Sequence, residues 1–197
     1  MANISQAGYL STPMSVALAQ WTLDDYHRMI TAGILDDRAV ELLEGEIVTM
    51  APEGPEHAFL GHRGGKYLES LLGDQAEVRQ GRPITLPNQS EPEPDLAIVR
   101  PLGAAYRYRH PYPEDVFWVV EFSYTSLGKD LESKPSIYAG AGIPEYWVVN
   151  LKQSTVVVFR NPGQGGYQWR QTLESGCLHP LAFADVTVQV AQLLGQA

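Results

Sequence analysis

An α/β domain, with a central mixed β-sheet flanked by helices, is predicted by three features of the chain. Apolar, β-branched runs of strand length occur at Val116–Ser123, Glu145–Asn150 and Thr155–Arg160. Two longer segments, Pro55–Leu72 and Leu131–Ala141, carry apolar residues at steps of three and four, the helical period. The two patterns alternate along one chain without an internal repeat or a low-complexity tract, which is how layered α/β domains read. At 197 residues the length suits a single domain over residues 21–197. Residues 1–20 lack firm periodicity and are expected to form an N-terminal arm, partly disordered.

Taken in order, Thr22 reads as an N-cap, with Asp24 and Asp25 in the first turn of a helix that runs to about Ile30 and stops at Gly33. Val40–Met50 reads as two strands joined by a tight turn at Glu44-Gly45. The helix over Pro55–Leu72 presents Leu60, Gly64, Tyr67, Leu68 and Leu71 on one stripe and closes at Gly73. Short strands follow at Glu77–Arg79, Ile84–Leu86, Glu93–Val99 and Val116–Ser123. The next helix spans Leu131 to Ala141, stopped by Gly142 with Pro144 beyond it. Strands at Glu145–Asn150 and Thr155–Arg160 lead to a turn at Gly163–Gly166, then to weaker strands at Tyr167–Gln171 and Val186–Val190.

Composition excludes several classes. The hydrophobic fraction of 44% and charged fraction of 19% describe a globular chain. With Cys177 as the single cysteine, no internal disulfide and no zinc–cysteine cluster can form. The opening residues Met1–Gln6 lack a basic, then apolar, secretory signal, and no stretch nears the roughly 20 apolar residues of a membrane span. A cytoplasmic protein that does not enter membranes is expected. The net charge of −9 counts against non-specific binding of nucleic acid, although acids that hold a cation count as negative until it arrives. Arg100–His110 interleaves basic and aromatic side chains, either as an ordinary solvated loop or as a surface that tracks phosphates and stacks on bases.

The chemistry concentrates in two acids and a lysine. Asp95 stands in Pro94-Asp95-Leu96-Ala97-Ile98-Val99, and Glu121 in Phe117-Trp118-Val119-Val120-Glu121-Phe122-Ser123. A carboxylate within an apolar strand is costly to bury unless it is paired or binds a cation. Alternation puts Glu121 on one face with Val119 and Ser123, and Asp95 on one face with Ala97 and Val99, small neighbours that leave room for an ion and its waters. Magnesium asks for one or two carboxylates and takes water and phosphate for the rest. Lys134 falls on the stripe of Leu131, Tyr138 and Ala141, so it faces the sheet rather than solvent. Its ammonium could reach Glu121, position a water and offset charge on phosphoryl oxygens. Asp130, four residues earlier, offers it a purely structural partner, and Pro135 disfavours helix at Lys134 itself. His57 at a helix entry could contact phosphate, but reads first as a surface histidine. Glu145, Tyr146 and Trp147 are expected to pack the sheet behind the site, and Cys177 to be an inert thiol.

The chain resembles the PD-(D/E)xK nuclease superfamily and, within it, the Uma-two family of restriction-endonuclease-type proteins, which is abundant in cyanobacteria. The matching stretches are Val40–Ile47, Pro55-Glu56-His57, Pro94-Asp95-Leu96, Glu121-Phe122-Ser123 and Lys134–Ala139. The run Ala141–Val149 is the most recognisable, and together they cover about Leu23 to Phe159. Their order and spacing, rather than any one of them, make the likeness specific. It implies a restriction endonuclease-like fold with Asp95 and Glu121 as metal ligands. The superfamily usually places a lysine two residues after the second acid, where this chain has Ser123. The resemblance then implies Lys134 from the next helix, with Lys129 as the fallback. It also implies a further acid from the early hairpin, for which Glu41 matches best, although alternation does not decide between Glu41 and Glu44.

These observations lead to the expectation of a Mg²⁺-dependent endonuclease, with Mn²⁺ able to substitute, that hydrolyses DNA phosphodiesters by metal-activated water. Asp95 and Glu121 would hold the ion, with the Phe122 carbonyl. Lys134 and Glu41 would complete the catalytic set. A homodimer would supply the two sites that cutting both strands of a duplex requires. The contrasting expectation is a catalytically silent nuclease fold that binds nucleic acid or protein, favoured by the acidic balance and by Ser123.

Overall fold

The computed structural model describes residues 18–196, so all but the last three positions of the expected N-terminal arm lie outside the described residues. Helix α1 (Leu23–Thr31) begins at Thr22, whose hydroxyl accepts the Asp25 N–H while Asp25 accepts the Thr22 N–H, closing both ends of a capping box. Strands β1 (Val40–Leu43) and β2 (Glu46–Thr49) form an antiparallel hairpin. Its two turn residues, Glu44 and Gly45, have φ of 48° and 80°, the left-handed pair that a two-residue hairpin requires. Helix α2 (Pro55–Leu72) starts on a proline at its first turn and ends at Gly73.

Strands β3 (Glu77–Gln80), β4 (Leu96–Val99), β5 (Val116–Ser123), β6 (Glu145–Asn150), β7 (Thr155–Gly163) and β8 (Gly166–Leu173) form one six-stranded sheet in that order. The pair β5–β6 is parallel and the others are antiparallel, so the sheet is mixed, as expected. The parallel crossover carries a π-helical turn over Lys129–Ser133 that runs into α3 (Lys134–Gly140). Strands β9 (Cys177–Leu178) and β10 (Val188–Gln189) and the short helix α4 (Val190–Leu193) complete the described chain. Among the described residues no helix is long and apolar enough to cross a membrane.

The alternation of β5 divides the core. Trp118, Val120 and Phe122 face α2 and α4, in one cluster with Leu68, Leu72, Trp147 and Val158. Val119, with Ala97, Ile137, Tyr138 and Tyr146, belongs to the cluster under α3. The sheet thus has a helical layer on each face, and the α3 face is the one that carries Glu121.

Helix α2 approaches the sheet on glycine. A Cβ at Gly64 would lie 2.6 Å from Phe122 Cζ, and one at Gly65 would lie 2.6 Å from Gln80 Nε2. The Phe122 ring is fully buried and has nowhere to swing. A Gly64→Ala chain should therefore unfold at lower urea, losing about 1–2 kcal/mol because overpacking outweighs the helix preference of alanine. Unchanged or raised stability would show that the helix can slide away from β5.

Three elements differ from expectation; the strand expected at Val186–Val190 is reduced to Val188–Gln189, and Val190 opens α4. Ile84–Leu86 forms no ladder strand; Leu86 makes an isolated bridge to Ser90, and the Thr85 N–H donates to the Pro111 carbonyl. Strand β4 starts at Leu96 rather than Glu93, because Pro92 and Pro94 have no N–H to give a ladder. Asp95 is thus a bend at the strand entry, not a residue inside it.

Candidate active site

The truncation of β4 is what builds the site. The Phe122 N–H, with no β4 backbone group opposite, donates to Asp95 Oδ2 at 2.6 Å. The Asp95 N–H in turn points to Glu121 Oε2 at 3.4 Å, and the Asp95 carbonyl accepts from Gly81 at 3.0 Å. The two acids are thereby locked to each other through the backbones of adjacent strands.

Glu121 is 4% exposed and points toward α3. Lys134 Nζ donates to Glu121 Oε1 at 2.6 Å, and the Tyr138 hydroxyl, one turn on, donates to the same oxygen at 3.0 Å. Lys134 is itself 4% exposed, with Asp130 Oδ1 at 3.7 Å and Glu41 Oε2 at 3.8 Å. It adopts helical angles (φ −60°, ψ −35°) in spite of Pro135, and its N–H reaches back five residues to the Lys129 carbonyl. Pro135 cannot continue the ordinary ladder, and the wide π turn before it is held by the Tyr146 hydroxyl on the Asp130 carbonyl and by Ser123 Oγ on Asp130 Oδ2. Such turns recur at functional sites.

The hairpin supplies the fourth predicted residue. Glu41 is 1% exposed, accepts from Lys129 Nζ at 2.7 Å and from the Glu93 N–H at 3.3 Å. Glu44 lies in the exposed turn and does not line the cleft, whereas Glu41 does. Asp95, Glu121, Lys134 and Glu41 all line one cleft of about 420 Å³, and Lys129, the fallback lysine, lines it too.

Two further residues of the cleft lie outside the predicted catalytic set, and of these Glu53 had no sequence signal at all. His57 Nε2 lies 3.0 Å from Asp95 Oδ1, in the first turn of α2, where the sequence favoured a surface histidine. Glu53, in the loop before α2, joins them. Glu53, His57 and Asp95 each offer a ligand atom within 4.8 Å of the others, the one such group of three among the described residues. The Asp-Leu-Ala periodicity gave no signal for this, because the partners come from a loop and a helix end. Glu145, Tyr146 and Trp147 pack behind the site as expected, with Glu145 buried against Arg160 and the Trp147 indole N–H. The basic–aromatic loop is elsewhere: it follows the far end of β4, and Arg109 is tied to Asp115 and stacked on Tyr106 and Tyr112.

Electrostatically the cleft is short of positive charge. Burial pushes the Glu121 carboxyl up to about 8; Lys134 pulls it down, but Asp95 and Asp130 add to the rise. Burial works against the Lys134 ammonium, yet Glu121, Glu41 and Asp130 outweigh it and hold its pKa above the usual lysine value. The hydrogen bond to Asp95 raises the His57 pKa, against the effect of burial. A carboxylate that keeps a proton for want of cations is one that a divalent ion would satisfy. Asp130 Oδ1, moreover, is buried without a hydrogen-bond partner. Glu121 Oε2 receives only the long Asp95 contact. Oxygen donors left open in this way are of the kind that suits a hard divalent cation.

A family model, Uma2, described as "Putative restriction endonuclease", matches residues 23–191. Among solved structures, the chain is similar to a protein from Anabaena variabilis described as "a putative nuclease belonging to DUF820". The two share 16% identity with a TM-score of 0.68, over 89% of this chain and 98% of that one, which is a likeness of fold. A comparison with curated proteins finds no match.

Proposed function

The chain belongs to the Uma2 family, and from that premise we propose that its cleft is the active site of a Mg²⁺-dependent DNA endonuclease, with Mn²⁺ able to substitute. The observation that carries the reading is the buried Lys134–Glu121 contact beside Asp95 in one open cleft. Lys134, from the next helix, reaches Glu121, which supports giving it the role that Ser123 cannot serve.

Asp95 and Glu121 are proposed as the metal ligands, through Asp95 Oδ1 and Glu121 Oε2. A bound cation would polarise the phosphodiester and lower the pKa of a water. Lys134, fixed on Glu121 Oε1, orients a water and offsets charge that develops on the phosphoryl oxygens. Tyr138 holds the same oxygen, which keeps Glu121 in one rotamer. Glu41 anchors Lys129 at the cleft wall and draws Lys134 inward. A single domain over residues 21–197, a homodimer on duplex DNA and a cytoplasmic location belong to the same reading.

Asp95→Asn should keep the circular-dichroism spectrum of the parent and lose cleavage of a labelled DNA duplex in Mg²⁺ by about 10²-fold or more. Equal rates for the two chains would remove Asp95 from the site.

A further inference from the structure

We propose that Glu53 and His57 join Asp95 in binding a divalent transition-metal ion, Mn²⁺ in preference to Mg²⁺, at the mouth of the cleft. This rests on the reading of the cleft as a nuclease site and adds the choice of metal and two ligands to it.

The three groups come from separate elements that converge on one point. Glu53 lies in the loop before α2, His57 in the first turn of α2, and Asp95 at the entry to β4. All three line both the main cleft and an adjoining pocket of about 210 Å³ formed with Gly61, His62 and Gln80. An ion held by them would sit at the seam of the two spaces, with open positions facing each. Around a six-coordinate ion with bonds of about 2.1 Å, neighbouring donors lie about 3 Å apart and opposite donors about 4.2 Å apart. His57 Nε2 and Asp95 Oδ1, at 3.0 Å, already have the neighbouring separation. The whole set lies within 4.8 Å, so closure takes movements well below the length of a side chain.

The accessibility of the groups agrees with this. His57 and Asp95 side chains are each 17% exposed, enough to admit an ion and waters from the cleft mouth. Asp95 has its second oxygen committed to the Phe122 N–H, which aims Oδ1 at His57. Magnesium takes oxygen ligands and rarely nitrogen, while an imidazole suits first-row transition ions. A site of one imidazole and two carboxylates therefore discriminates against Mg²⁺.

The test is binding of the metal alone to the full chain, followed by the free Mn²⁺ electron paramagnetic resonance signal, with Mg²⁺ as competitor. The parent should bind Mn²⁺ roughly tenfold or more tighter than Mg²⁺; His57→Ala should weaken Mn²⁺ by roughly tenfold while leaving Mg²⁺ little changed, and Glu53→Gln, which removes an oxygen ligand, should weaken both. In the parent itself, substoichiometric Mn²⁺ should broaden the ring protons of His57 more than those of His110 or His179, which line neither space. Equal Mn²⁺ affinity in parent and His57→Ala, or an unbroadened His57 ring, overturns the proposal, whatever the DNA cleavage. Mn²⁺ binding that depends on His57 in a chain that cuts no DNA upholds the metal site and removes the nuclease reading.

Discussion

Replacing Lys134 with methionine should lower the unfolding free energy at neutral pH by about 3–5 kcal/mol, the usual cost of stripping the partner from a buried charge. The side chain is 4% exposed and stands among Glu121, Asp130 and Glu41, each nearly sealed from water. Methionine keeps an unbranched side chain of similar length and removes the charge together with its hydrogen bond to Glu121. The acids are then left in an apolar setting without the ammonium that faces them, which costs stability. Urea unfolding followed by fluorescence of the buried Trp118 and Trp147 measures the loss. A loss under about 1 kcal/mol at neutral pH would mean that the acids are solvated and the ion cluster is not as described. Cleavage should be lost as well, but the stability effect does not depend on any catalytic role.

The second large effect concerns pH and cations together. Glu121 has an ordinary carboxyl pKa of 4.5 in the unfolded chain and about 8 in the folded one, chiefly from burial. The folded state then holds a proton that the unfolded state has released, so stability falls as the pH rises from about 4.5 to about 8. Below that window the contribution is complete, and above it the contribution is gone. Added Mg²⁺ should flatten the fall, because a cation bound to the native chain alone stabilises it and displaces the proton. Glu121→Gln should flatten it without metal. Unfolding curves at a series of pH values, with and without Mg²⁺, check this. A parent whose stability rises across the window, with no response to Mg²⁺, would contradict the charge deficit on which the cation site depends.

Local chemistry carried most of the fold into the sequence. The Thr22 cap, the Glu44-Gly45 turn, the stripe of α2 and the alternation of β5 each depend on near neighbours in the chain, and each stands where the pattern placed it. The early end of β4 was also legible in principle, since Pro92 and Pro94 cannot join a ladder, but the apolar run after Asp95 drew the strand too far back. Within the site, Lys134 was visible because a lysine on an apolar stripe is out of place unless acids await it. Glu41 became distinct from Glu44 only when the hairpin packed against the Glu91–Glu93 segment, a contact made across about half of the described chain's first hundred residues. His57 and Glu53 had no periodic signature, because a helix end and a loop are brought to Asp95 by the packing of α2 on Phe122.

The central claim is best tested on supercoiled plasmid, incubated with the parent chain in Mg²⁺, in Mn²⁺ and with chelator, beside Glu121→Gln. The cleft as described predicts nicked and linear product in either metal, none with chelator, and none from Glu121→Gln. Plasmid left intact by a folded parent in both metals, or cut as well by Glu121→Gln, would contradict it.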